Sequence, residues 1–118
     1  MNVTRSVEAA WIARQAGIDE AVRRIALTTP EGYVWRDAVV SVLDEDYERA
    51  ADVFASFGHL DEGYARLRAG ARHLAEGRAV EAEAALQRSI ASHRLLGATR
   101  YVREAEQLLV RAGLEIPA

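Results

Sequence analysis

Seven stretches in which apolar residues recur every three or four positions follow one another along this chain, each closed by a glycine or a short polar turn. That spacing puts the apolar side chains on one face of an α-helix, and a glycine just past the face supplies the left-handed residue on which helices commonly end. The first stretch runs from Arg5 to Ala16, with Val3, Val7, Ala10 and Trp11 on one stripe and Gly17 as its stop. Asp19 stands where an N-cap belongs for the second, whose stripe is Ile18, Val22, Ile25 and Ala26. Thr28-Thr29-Pro30 closes it and opens the third, Glu31 to Leu43, because proline is tolerated in a first turn and Thr29 can cap it. Trp35, Ala38, Val39 and Val42 form the third stripe; after the Asp44-Glu45-Asp46 turn, Tyr47, Ala50, Phe54 and Phe57 form the fourth, ended by Gly58. The fifth, Leu60 to Glu76, carries Leu60, Tyr64, Leu67, Ala71 and Leu74 before Gly77. The sixth, Ala79 to Leu96, carries Ala82, Leu86, Ser89 or Ile90, and His93 before Gly97, and the seventh, Thr99 to Ala112, carries Val102, Ala105 and Leu109 before Gly113.

No stretch alternates with period two for long enough to make a sheet, so the expected class is all-α: an antiparallel array of helix hairpins over residues 1–113, with 114–118 as a loose tail. Composition agrees, since 23 of the 118 residues are alanine, the best helix former, and the only prolines are Pro30 and Pro117. Helices this short are marginal alone and must be held by packing, which small residues such as Ala50, Ala82 and Ala85 permit at close range.

Two of the stretches repeat one another. Ser41, Glu45, Ala50, Phe54 and Phe57 can be laid over His73, Gly77, Ala82, Leu86 and Ser89 at a constant offset of 32 residues, with Gly70 three residues ahead of His73. This pattern resembles the tetratricopeptide repeat, a helix hairpin of about 34 residues. The resemblance implies an α-solenoid in which Gly77 makes the tight reversal and Ala82 sits where the two helices cross. His73 stands where the family has an aromatic residue, and Phe57 where it has a small one.

A longer likeness covers residues 35–113, from Trp35-Arg36-Asp37-Ala38-Val39 through Asp46-Tyr47-Glu48-Arg49-Ala50, Asp61-Glu62-Gly63-Tyr64 and Gly77-Arg78-Ala79-Val80 to Gly97-Ala98-Thr99-Arg100-Tyr101. It is similar to the C-terminal helical-repeat region of large actinobacterial signalling proteins, cyclase-like or transcriptional-activator-like, that carry an ATPase module upstream. The resemblance implies a scaffold or regulatory segment, either a piece of such a protein or a small protein that reuses its tail. None of the upstream catalytic motifs occurs in this sequence.

The net charge of −3 hides an uneven distribution: residues 1–30 carry +1, residues 31–62 carry −7 and residues 63–118 carry +3. An acidic centre between basic ends can orient a partner, although a solvated surface with ordinary helix charge pairs is the favoured reading of it. All fifteen basic residues are arginine. There is no cysteine, so no disulfide, no thiolate chemistry and no Cys-based zinc site. His59, His73 and His93 fall at no metal-ligand spacing, and His73 and His93 lie on apolar stripes where a hydrogen-bonded interior role is expected. Asp44, Glu45 and Asp46 cluster at a turn, where acids favour the helix that follows, and Glu81 and Glu83 lie on an outward face. Gly70 and Gly77 lack the Lys-Ser or Lys-Thr of a phosphate loop. No run of apolar residues is long enough for a membrane span, and Met1-Asn2-Val3-Thr4-Arg5 leads into no signal-peptide core, so a cytoplasmic setting is expected.

The expected function is therefore a non-catalytic protein–protein interaction or scaffold module, with no cofactor, no metal and no membrane. Trp11, Arg66, Arg72, Arg100 and Arg103 are the candidate partner-contacting residues. The partner is a protein or peptide, or a second copy docked along the first helix, where Val3, Val7, Trp11 and Ile12 spread over a wide arc. The alternative is a small nucleic-acid-associated regulator using the arginine-bearing C-terminal half, including Tyr64 with Arg66, Arg68 and Arg72.

Overall fold

Among the described residues helix is the dominant conformation. The computed structural model describes residues 8, 10–12, 19–28, 30 and 33–118; of these 76% are helical and none lies in a strand. Glu8, Ala10, Trp11 and Ile12 belong to an N-terminal helical segment. It is followed by α1 (Asp19–Ala26), α2 (Val34–Leu43), α3 (Tyr47–Ser56), α4 (Glu62–Ala75), α5 (Ala79–Leu96) and α6 (Thr99–Arg111). From α1 to α6 each helix packs on its neighbour in the chain, most extensively α4 on α5, and α4 also reaches α6. The molecule measures 43 × 28 × 23 Å. The expectations for Val3, Val7, Gly17, Ile18, Thr29 and Glu31 lie outside the described residues.

The 32-residue offset reappears as backbone geometry. Asp46 N–H donates to Ser41 O at 3.0 Å, and Arg78 N–H donates to His73 O at 2.8 Å; Glu45 to Val42 and Gly77 to Leu74 repeat the same relation at 3.0 and 3.1 Å. Glu45 and Gly77 both adopt the left-handed conformation, at φ 58° and 74°. Ala50 and Ala82 are both fully buried, as are Phe54 and Leu86. The same pair of backbone hydrogen bonds also ends the helices before His59, Ala98 and Leu114, around left-handed Gly58, Gly97 and Gly113, so it is the general helix ending of this chain. What the two hairpins share at the 32-residue offset is the burial of Ala50 with Ala82 and of Phe54 with Leu86. Asp46 also caps α3, its carboxylate accepting from Arg49 N–H at 3.3 Å.

Two apolar clusters follow. Ala38, Val39, Val42, Ala50 and Phe54 form the first, with Trp35 against it; Leu67, Leu86, Ile90, Val102 and Leu109 form the second. Between α4 and α5 the backbones come close enough to require glycine: a Cβ on Gly70 would stand 2.5 Å from Leu86 Cγ, and one on Gly63 would stand 2.9 Å from His93 Nε2.

Three local expectations are corrected. The helix after Pro30 begins at Val34, behind Tyr33; Pro30 precedes the helix and is exposed. Leu60 is 67% exposed and lies ahead of the helix, whose N-cap is Asp61. The tail is docked: Leu114 packs on the second cluster, and Arg94 donates to the main-chain oxygens of Ala118 and Pro117 at 2.9 and 3.3 Å.

Candidate functional site

The charge segregation seen along the sequence is spent largely between α3 and α4. Arg66 is only 5% exposed and donates to Glu62 at 3.0 Å and to Asp52 at 3.4 Å, so its charge is used inside the fold and offers no surface to a partner. A guanidinium can be buried there because carboxylates from two helices receive its fork. Arg72 donates to Glu45 Oε2 at 2.8 Å across to the preceding turn and lies 3.9 Å from Glu76. His73, buried as expected, meets Glu48 Oε1 at 2.6 Å through Nε2. These three contacts hold the acidic α3 end to the basic α4 face.

At the opposite end of α4 the fold is open. Antiparallel neighbours bring alternate turns to the same side, so the turn before α4 and the turn between α5 and α6 lie together, with the N-terminal segment across them. A cleft of about 380 Å³ results, lined by Glu8, Trp11, Ile12, Leu60, Asp61, Tyr64, His93, Leu96, Ala98 and Tyr101. Its rings are in mutual contact: Trp11 meets Tyr64 edge-on at 4.8 Å, Tyr64 meets Tyr101 at 5.7 Å, and Tyr101 stacks on His93 at 5.0 Å. Trp11 is oriented by a hydrogen bond from Nε1 to Asp61 Oδ2 at 2.9 Å and stacks on Tyr47 at 6.0 Å. The indole that the sequence offered as an uncovered patch is therefore half-buried against its own chain, and among the described apolar residues of this segment it is Ile12 that is open, 60% exposed.

The hydrogen bonds of His93 fix its tautomer. Ser89 Oγ donates its only proton to Gly63 O at 2.8 Å, so it can only accept from His93 Nδ1, 3.3 Å away. Nδ1 therefore carries the proton and Nε2 the lone pair. Burial pushes the His93 pKa below its ordinary value of 6.5, opposed by its hydrogen bond to Ser89 and by the charge of Glu104, so the ring is neutral at neutral pH. Burial likewise raises the Tyr64 phenol, against the pull of Arg68, and keeps it protonated.

Of the five candidate residues, the structure places one in the cleft, Trp11, while Arg100 lies outside its lining with its guanidinium 5.8 Å from the centre of the Tyr101 ring. Arg66 and Arg72 point to the other hairpin, and Arg103 lines a shallow hollow on α6 with Val110 and Ile116. Asp61, His93, Leu96 and Tyr101 were not singled out for binding; the signal that could have found them is their position at alternate turns, which an antiparallel array brings together. Among the described residues no group of His, Asp and Glu is arranged to hold a metal ion, and no helix is long and apolar enough to cross a membrane. No family model, curated protein or solved structure matches the chain.

Proposed function

We propose that this chain is a non-catalytic protein-interaction module, a scaffold or regulatory segment of the tetratricopeptide-like α-solenoid type that binds a protein or peptide partner in a cytoplasmic setting. The observation that carries the reading is the aromatic cleft, open where the N-terminal segment, α4, α5 and α6 meet and edged by Ile12, Leu60 and Leu96, all more than half exposed. An apolar, largely preformed hollow with a few convergent polar groups is the ordinary form of a recognition site. The solenoid reading is supported by packing between chain neighbours and by the burial of Ala50 with Ala82 and of Phe54 with Leu86 at the 32-residue offset.

Selection of a displayed random-peptide library on the immobilised chain tests the reading. The expected result is enrichment of a defined sequence pattern, lost when Tyr64→Ala is used as bait. Failure to enrich any pattern, together with a strict monomer by light scattering across micromolar concentrations, would overturn it. A gel shift on random duplex DNA that collapses with rising salt would favour the nucleic-acid alternative instead.

A further inference from the structure

We propose that the cleft receives an arginine side chain carried on an apolar peptide segment of a partner protein, an inference that rests on the interaction reading above and deepens it.

The argument begins with what the lining can and cannot donate. Its charged side chains are two carboxylates, Glu8 and Asp61, and it holds no lysine or arginine. Asp61 Oδ2 is taken by Trp11, while Oδ1 receives no hydrogen bond from a described residue: His59 Nδ1 is 4.0 Å away and itself accepts from Asp61 N–H. His93 adds no charge to the lining: it is 3% exposed, and its Nε2 lies against Gly63 of α4. The remaining walls are rings of Trp11, Tyr64 and Tyr101, whose faces carry the negative side of the aromatic quadrupole. An anion would meet two carboxylates here, whereas a cation rich in N–H groups would find Asp61 Oδ1, the Glu8 carboxylate and the Trp11 and Tyr64 rings, the Tyr101 ring being already engaged by His93 and Arg100.

Within the cations, the geometry selects guanidinium. It is planar, offers five donors and is weakly hydrated, so it can stack on a ring while donating in its own plane; an ammonium is a compact and strongly hydrated point charge. The fold already uses this contact twice on its own surface, with Arg68 5.6 Å from the Tyr47 ring centre and Arg100 5.8 Å from that of Tyr101. The rim then selects the carrier. Ile12, Leu60 and Leu96 are 60%, 67% and 52% exposed at the mouth, and a free guanidine would leave them in water. A peptide with aliphatic residues beside its arginine covers cleft and rim together.

The test is fluorescence anisotropy with a labelled pentapeptide, Ala-Leu-Arg-Leu-Ala, and three controls: citrulline in place of arginine, alanine in place of both leucines, and argininamide alone. The arginine peptide is expected to bind about tenfold or more tightly than its citrulline isostere, the difference expected of a charge-assisted hydrogen bond. That preference should shrink as salt rises from about 50 to about 300 mM and in Asp61→Asn, which keeps a carbonyl oxygen for Trp11. Glu8→Gln, on an exposed residue, should shrink it further without any change in melting temperature. Equal binding of the arginine and citrulline peptides would overturn the proposal, as would argininamide matching the full peptide or Asp61→Asn and Glu8→Gln leaving the preference intact. A library that enriches a pattern without a basic residue would also overturn it while leaving the interaction reading standing, whereas a library that enriches nothing removes both.

Discussion

The α2–α3 and α4–α5 hairpins share their turn hydrogen bonds at a 32-residue offset, yet they are built to different tolerances. At the helix crossing the first has Ala38 and fills the space with the ring of Phe54; the second has Gly70 and Leu86, with no room for even one more methyl group. At the turn the first forces Glu45 into a left-handed conformation that the second gives to Gly77. The first pair of helices is 10 and 10 residues long, the second 14 and 18, and the second makes the largest contact in the molecule. Bulk holds the first hairpin together and close backbone approach holds the second. The cleft sits on the second, where precise spacing of Tyr64, His93 and Tyr101 depends on it.

Four experiments break or sharpen that contrast. The largest effect is expected for Phe54→Ala, which empties the first hairpin and should cost about 3–5 kcal/mol in urea unfolding. Phe54→Leu, which copies the residue of the second hairpin, should recover most of that loss; equal losses would mean the ring does not fill this crossing.

Gly70→Ala comes next and is decided by sign. Helix propensity alone predicts a gain of about 1 kcal/mol, whereas a Cβ 2.5 Å from a fully buried Leu86 predicts a loss of about 1–3 kcal/mol. A loss is expected, and a rise in the urea midpoint would show that α4 and α5 are not held at the spacing seen here.

Exchanging the turn residues should give a smaller, asymmetric result. Gly77→Glu imposes on the second turn the left-handed cost that Glu45 already bears, about 1–2 kcal/mol. Glu45→Gly relieves that cost but loses the ion pair to Arg72 and frees the unfolded chain, so its melting midpoint should move little. Equal and opposite shifts would mean the Arg72 contact contributes nothing.

The smallest effect is a pH dependence seated in the second hairpin. Burial lowers the pKa of His93 in the folded chain, so below about pH 6.5 the unfolded state binds the extra proton first. Stability is therefore whole above pH 6.5 and is lost as pH falls below it. His93→Gln should flatten that part of the urea-midpoint profile, and an unchanged slope would assign the acid sensitivity elsewhere.

How much of this was legible in the sequence depended on whether hydropathy and burial coincide. In α5 they do: Ala82, Leu86, Ser89, Ile90 and His93 are all buried while Glu81 is exposed, so the stripe gave the register residue by residue. At Pro30 they do not, because a proline reads equally as a helix start or as a residue of the linker ahead of it. Arg66 was misread for a related reason: a guanidinium buried between Glu62 and Asp52 carries the same letter as a solvated one, and only the packing of α4 against α3 distinguishes them. The cleft was the least legible part. Trp11, Leu60, Tyr64 and His93 lie on the apolar stripes and read as packing residues, whereas Asp61, Leu96, Ala98 and Tyr101 lie at or beside helix ends, and the two sets come together only once alternate turns share an end.

The hydrogen bond between Trp11 and Asp61 spans 50 residues, in a molecule whose helices otherwise pack mainly on their chain neighbours. Neighbour contacts close short loops at little entropic cost and place helical arrays among the fast folders, in the microsecond-to-millisecond range, whereas the entropy of closing a longer loop grows with its length. The array can therefore assemble from its hairpins outward without the N-terminal segment, and the indole seats itself only on a surface already formed by Tyr47, Asp61 and Tyr64. The Trp11 wall of the cleft is therefore expected to close after the hairpins have formed and to open before they do.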